Sequence, residues 1–480
     1  MTHIAGQPAD TTDMDGPRLG GVPRRIIAAL VVLGAIFTAP AAAQNATETP
    51  DLVPAIGPWI GAPRGFITDI SSDSESLTIN GIARDPDSAQ AVSYEILVDG
   101  LSVATGATPR PDGFGRTAEF TESIRVNAGL HTVCLRLSDD RFAGRTVNCM
   151  NTVTAPPSTV SQSTIDNAKG VAVSPSGVVV PILSGTPGNL RVETPCGNEA
   201  TLTNATIIER AQVVIDPGHG GSESGAVGGG LLEKNVNLQV SEVLIDKLEA
   251  LGISAQLTRT GDYRLPLATR AQIATDLAPD VFLSLHHNGG AVRPSSTPGT
   301  EIFYSEARPS SQRLAAILYE EMNAAAAQFS ANWVSTVNQG ASLRLREDGM
   351  DLYGIHRHSP EIDSVITEFL YLSNSSEAAL MSRPEVIDAE AQSIVDGILR
   401  WWFSEDAGTS LGRTFTDSSS SGTGGFDGCT DPSLTSGNVS LSESREDVLT
   451  GAAGNLSGDA PARSLLPALT LGSDPAIAVN

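Results

Sequence analysis

The chain has 480 residues, 40% of them hydrophobic, with 55 acidic against 30 basic side chains and a formal net charge of −25. That length is too great for one ordinary core and suits two domains with tails. The acidic balance repels phosphate backbones and so argues against nucleic-acid binding.

Arg18, Arg24 and Arg25 precede an apolar run from Ile26 to Phe37 and then Ala41-Ala-Ala43, the pattern of a secretory signal peptide over residues 1–43 with cleavage after Ala43. The run is too short to span a bilayer comfortably, and no later segment offers about twenty unbroken apolar residues. The expected product is therefore secreted, without a transmembrane segment, and no cysteine follows the run to carry a lipid anchor.

After a linker over 44–57, residues 58–153 alternate apolar and polar side chains in short runs, such as Ser76-Leu-Thr-Ile79 and Val92-Ser-Tyr-Glu-Ile-Leu-Val98, separated by Asp-Pro and Asp-Gly turns. This predicts an all-β, immunoglobulin-like sandwich. It has no catalytic cluster, which leaves a wall-binding, partner-binding or spacer role. His131 reads there as a structural histidine. Four cysteines in an exported chain favour two disulfides. Cys134 and Cys149 lie on neighbouring alternating runs, where closing a loop of about fifteen residues is worth roughly 3 kcal/mol in the chain-entropy model. That leaves Cys196 with Cys429, one on each side of the catalytic unit. Residues 154–210 read as a Ser/Pro/Thr-rich linker followed by short β segments packed on what comes next.

From 211 to 405 strands and helices alternate, which predicts an α/β catalytic domain, a mixed sheet flanked by helices. Val236, Val240, Val243, Leu244, Leu248 and Leu251 recur at helical spacing, with Gly252 ending the helix. A strand over 253–257, a helix over 267–277 and a strand over 281–285 follow. Ser382-Arg-Pro384 reads as an N-cap opening a last helix that runs to about Trp402.

Four side chains in this region sit where such elements present them. His219 follows the strand Val213-Val-Ile-Asp216 on flexible backbone; Glu233 opens the first helix; His286 ends a second strand; Glu368 ends a third, Val365-Ile-Thr367. Functional groups of open α/β sheets gather where strands end. Two imidazoles and a carboxylate are a usual ligand set for catalytic Zn²⁺, and a spare carboxylate can act as base and then acid. His219, Glu233 and His286 are the metal candidates and Glu368 the catalytic one, for hydrolysis of an amide-like carbonyl. The glycine-rich stretch from Gly218 to Gly230 is followed by no Gly-Lys-Ser/Thr, so it is not a phosphate loop.

Six segments occur together in order: Asp216-Pro-Gly-His-Gly-Gly221, Leu232-Glu-Lys-Asn-Val-Asn-Leu238, Leu257-Thr-Arg259, Ser284-Leu-His-His-Asn288, Gly299-Thr-Glu-Ile-Phe-Tyr304 and Glu368-Phe-Leu-Tyr-Leu-Ser-Asn374. In these, residues of about 211–403 resemble the zinc-dependent N-acetylmuramoyl-L-alanine amidases, which separate peptide stems from the glycan strands of peptidoglycan. The resemblance implies His219, Glu233 and His286 as zinc ligands, Glu368 as the catalytic carboxylate, and peptidoglycan as the partner. It is the resemblance that assigns the bond, between the lactyl group and L-alanine. The residue chemistry leaves two alternatives, a zinc peptidase cutting within the stem and a non-catalytic wall-binding or regulatory protein on the same fold.

Two positions depart from the family pattern. His287 stands where a small residue is usual, and strand alternation turns it away from the side His286 faces. Asp363 stands where many relatives have proline. Asn288 and Glu301 are candidate contacts to substrate or ligands. His356 and His358 alternate like two strand residues on one face, with cleft lining as their functional reading. Residues 330–355 are the expected place for a lid or restraint. Beyond Asp406 the Ser/Gly-rich tail, 406–480, is expected to be largely disordered apart from Cys429.

Overall fold

The computed structural model describes residues 62–435 apart from 87, 112, 114, 115, 143, 291 and 418–423. The expected signal peptide, the linker over 44–57, residues 58–61 and the chain beyond 435 lie outside the described residues. No helix among the described residues is long and apolar enough to cross a membrane.

Seven alternating strands make the first layer pair. Arg64–Ser72, Ser76–Arg84 and Ala118–Arg125 form one antiparallel sheet, and Leu101–Ala107, Ser93–Val98, Gly129–Ser138 and Arg145–Thr154 form the other. Every second side chain points inward, so Leu77, Ile79, Ile96, Val133 and Leu135 from both sheets share one core. A disulfide joins Cys134 to Cys149, which face each other across the pair Gly129–Ser138 and Arg145–Thr154. His131 is buried between Oδ2 of Asp99 and the carbonyl of Asn127, both at 2.8 Å.

A five-stranded antiparallel sheet over Val171–Val173, Val179–Thr186, Asn189–Glu193, Glu199–Leu202 and Thr206–Ile208 comes next. Val171 and Val179 pack with Ile273, Ala274 and Leu277 of the helix Leu267–Leu277. The Cys196–Cys429 disulfide brings the C-terminal segment back onto this sheet, where Asp431 accepts from Thr194 Oγ1, the Cys196 N–H and Asn198 Nδ2, each at 2.8 Å.

The third unit is a seven-stranded mixed sheet ordered Ala255–Leu257, Val213–Pro217, Val281–Asn288, Ser364–Tyr371, Glu301–Tyr304, Gly340–Arg346 and Thr414–Asp417. The first four strands run parallel, and Glu301–Tyr304 is antiparallel to Ser364–Tyr371. Alternation divides the apolar residues between the faces. Val213, Ile215, Leu283 and Leu285 pack on the helices Glu233–Ala250, Pro309–Ala326 and Pro384–Phe403, whereas Val214, Phe282, Phe303 and Ile366 pack on Leu267–Leu277.

The structure corrects several expectations. Glu368 lies within its strand, not at its end, and the His286 strand continues to Asn288, because the ladder between them persists through His286↔Glu368 to Asn288↔Tyr371. Arg383, not Ser382, occupies the N-cap position of the last helix; Ser382 closes the preceding one, Ser375–Met381. His356 belongs to a short helix, Gly354–Arg357, and is buried with Nδ1 2.8 Å from Ser364 Oγ, while His358 is exposed. Neither lines the cleft described below. Residues 330–355 supply an interior strand of the sheet, Gly340–Arg346, and four of them, Thr336, Asn338, Arg344 and Tyr353, line the cleft described below. Thr414–Asp417, in the segment expected to lack structure, forms the edge strand beside Gly340–Arg346.

Candidate metal centre

The loop after Val213–Pro217 is shaped by two buried arginines. Arg259 donates to the carbonyls of Pro217 and Gly218 at 2.8 and 2.9 Å, and Arg270 donates to those of Pro217 and His219 at 2.7 and 2.6 Å. Buried carbonyls need such partners. The charge of Arg270 is balanced by Asp216 at 2.6 Å, whose carboxylate also accepts from Thr258 and Ser284. Burial opposes the ionisation of Asp216, but Arg270 and these hydroxyls outweigh it and hold its pKa below the usual value. His219 is thereby kept at φ 62°, a left-handed conformation uncommon outside glycine.

Three donor atoms converge beside this loop. His219 Nε2 lies 3.1 Å and His286 Nδ1 2.9 Å from Oε1 of Glu233, and the three candidate ligand atoms are all within 4.8 Å of one another. Glu233 is the first residue of its helix. Its Oε2 accepts the Ala226 N–H at 2.7 Å and its Oε1 the His287 N–H at 3.2 Å, so the carboxylate is oriented from both sides. Burial raises the pKa of Glu233, but hydrogen bonds and charge contacts with His219 and His286 outweigh it and keep the group ionised. Burial lowers the pKa of His286, assisted by the nearby His219 charge and opposed by Glu233, which favours the neutral imidazole that can ligate a metal.

Backbone without side chains makes this convergence possible. A Cβ on Gly218 would lie 2.2 Å from the His286 ring, and one on Gly225 would lie 2.4 Å from Glu233 Oε2 and 2.6 Å from His219 Cδ2. Such close approach, with a donor set of two imidazoles and one carboxylate, fits a Zn²⁺ ion.

Glu368 faces the same cleft, one strand from His286. Its Oε2 is shielded from solvent and has no hydrogen-bond partner among the described residues, and Asn288 Nδ2 is in the same condition. Burial, then the charges of Glu233 and Glu301, push the Glu368 pKa well above the ordinary carboxylate value. Glu301 opposes Glu368 across the sheet and is held by the Tyr371 hydroxyl at 2.6 Å and by Thr336 Oγ1. The cavity, about 580 Å³, is also lined by Phe303, Thr336, Asn338, Arg344 and Tyr353. Phe303 lies in the quoted segment Gly299–Tyr304 and the other four within 330–355, but none of the five was named as a site residue by itself.

The departures from the family pattern have structural counterparts. His287 points to the opposite face, with Nδ1 2.7 Å from Asn237 Oδ1 and Nε2 3.1 Å from Glu390 Oε2, joining two helices behind the site. Asp363 lies at the start of its strand, where Ser310, Ser311 and Arg308 donate to it at the opening of the helix Pro309–Ala326. It is not part of the cleft.

Comparison with known proteins gives the same region. A family described as N-acetylmuramoyl-L-alanine amidase matches residues 213–400. The uncharacterized protein YqiI of Bacillus subtilis is 34% identical over 212 residues, 42% of this chain and 92% of that protein. The N-acetylmuramoyl-L-alanine amidase LytC of the same organism is 31% identical over 46% of this chain, which spans only 40% of that relative's length. Among solved structures, the amidase AmiC2 of Nostoc punctiforme is 30% identical, covering 39% of this chain and 95% of that one at a TM-score of 0.34.

Proposed function

The chain belongs to the N-acetylmuramoyl-L-alanine amidase family, and on that premise we propose that it is a zinc-dependent hydrolase of the amide joining the lactyl group of N-acetylmuramic acid to the L-alanine of a peptide stem. The observation that carries this reading is the convergence of His219, Glu233 and His286 in one cleft with Glu368, whose Oε2 has no hydrogen-bond partner among the described residues.

His219, Glu233 and His286 would hold the ion. A bound Zn²⁺ polarises a carbonyl oxygen and acidifies water to a pKa of about 7. The remaining work falls to the chain's own groups. Glu368 takes the proton from the attacking water as its oxygen bonds to the lactyl carbonyl carbon. The same carboxyl then returns that proton to the alanine nitrogen as the C–N bond breaks, leaving a lactyl carboxylate and a free amine. One positioned carboxyl can serve both steps, as base toward the water and then as acid toward the departing nitrogen. Asn288, whose Nδ2 lacks a partner among the described residues, is proposed to donate to the substrate.

Export fits this substrate, and two disulfides are consistent with an oxidising compartment. The paired sheets before the catalytic region are read as an immunoglobulin-like module that spaces it from, or binds it to, the wall or a protein partner. The activity is tested by labelling the new amino termini after digestion of purified peptidoglycan. An amidase exposes L-alanine, whereas termini from within the stem would identify a peptidase and replace this reading.

A further inference from the structure

The cleft is lined by the carboxylates of Glu233, Glu301 and Glu368. Apart from histidines, its described lining residues include a single cationic side chain, Arg344. Its location follows from the strand registers. Glu301 opposes Glu368 on one side and Gly340 on the other, and Phe303 opposes Ser342. Because side chains alternate, Arg344, four residues beyond Gly340, shares a face with Glu368 and Phe303. Two strand spacings of about 4.8 Å and four residues of about 3.3 Å put its backbone on the order of 16 Å from that of Glu368. The long arginine side chain shortens that gap to the reach of two or three peptide residues.

The head of Arg344 is held in place. Its guanidinium carbon lies 5.9 Å from the Phe303 ring centre and 5.8 Å from that of Tyr353. Nη1 donates to the Tyr353 hydroxyl at 3.1 Å, and Nε and Nη2 donate to one oxygen, Asp417 Oδ2, at 3.0 and 2.6 Å. A guanidinium carries five N–H donors in a fixed fork, so part of this fork has no acceptor among the described residues. The side chain is 25% exposed.

We propose that Arg344 is the anion-binding end of the cleft and holds a free carboxylate of the peptide stem while the lactyl amide lies at Glu368, with Asp417 as its internal counter-ion. The inference rests on the amidase reading. A peptide stem bears carboxylates, at least at its C-terminus, and would meet three acidic groups on entering. A preorganised guanidinium offsets that repulsion and matches a carboxylate geometrically. Asp417 ends the edge strand Thr414–Asp417, so its competition for Arg344 would weaken stem binding.

The test uses the full chain and two probes: a disaccharide-tripeptide muropeptide with free carboxyls, and the same muropeptide with its carboxyls converted to amides. The wild type is expected to prefer the free form. Arg344→Gln should lose about tenfold to a hundredfold of kcat/KM on the free form, mainly through KM, the scale of a lost charge-assisted hydrogen bond, and markedly less on the amide. Asp417→Asn should lower KM for the free form. Equal losses on both probes for Arg344→Gln, or a loss of activity in Asp417→Asn matching that of Arg344→Gln, would show a pair that only fastens the edge strand, and would overturn the inference. Hydrolysis of neither probe by the wild type would instead refute the amidase reading, and the inference with it.

Discussion

Gly218→Ala is expected to damage the metal centre while leaving most of the fold intact. A Cβ at this position would lie 2.2, 2.3 and 2.6 Å from Cε1, Nε2 and Nδ1 of His286, against about 3.4 Å for the start of ordinary contact. The ring must therefore recede by about 1.2 Å at its nearest atom, the difference between 3.4 and 2.2 Å. Metal sites tolerate only about 0.2 Å in ligand distance, and a misplacement of about 1 Å in a catalytic group costs on the order of a hundredfold in rate. The overpacking itself should cost about 1–3 kcal/mol of stability. Zinc affinity by chelator competition, kcat/KM on muropeptide and the thermal midpoint should then separate, with large losses in the first two and a modest one in the third. Zinc affinity and turnover equal to the wild type would refute the argument that Gly218 makes room for His286.

Two predictions concern pH. Arg270→Met leaves Asp216 buried without its cation, which should destabilise the protein by about 3–5 kcal/mol at neutral pH. The folded-state pKa of Asp216 is depressed, so the stability it contributes is present above the ordinary value of 3.8 and is lost as pH falls through the depressed one. In the variant burial is no longer outweighed, so the folded-state pKa of Asp216 rises above 3.8 and the cost should shrink as pH falls through that raised value toward 3.8; urea unfolding at pH 7 and pH 4 checks it, and equal losses at both would contradict it. Asp276 has the opposite sign. Burial pushes its pKa up to about 6, so its stabilising protonated form is complete below 3.8 and lost as pH rises through 6. Asp276→Asn should therefore stabilise the protein at pH 8 by up to about 3 kcal/mol and change little at pH 4, which thermal unfolding at the two values would reveal.

How legible the site was depends on how each residue is held. His219 and Glu233 sit at real boundaries, the end of an apolar strand and the first residue of a periodic helix, and local patterns show such boundaries. His286 and Glu368 were legible as residues but misjudged as strand ends, because polar side chains interrupt the apolar run while the backbone ladder continues. His356 and His358 mimic strand alternation within five residues, whereas the segment forms a short helix that buries His356 against Ser364. Arg344 was invisible because its role depends on a register with Glu301–Tyr304 and on Asp417, 73 residues away. The edge strand Thr414–Asp417 is too short and too polar to announce itself, and pairing with Gly340–Arg346 supplies what its composition lacks.

On the proposed reading the chain holds a metal with one set of residues and moves the proton with another. Glu368→Gln, purified beside the wild type and His219→Ala, separates the two when bound zinc and peptidoglycan hydrolysis are measured on the same samples. The account predicts one equivalent of zinc and little turnover in Glu368→Gln, and loss of both in His219→Ala. A Glu368→Gln protein that releases intact stem peptides at the wild-type rate would contradict it.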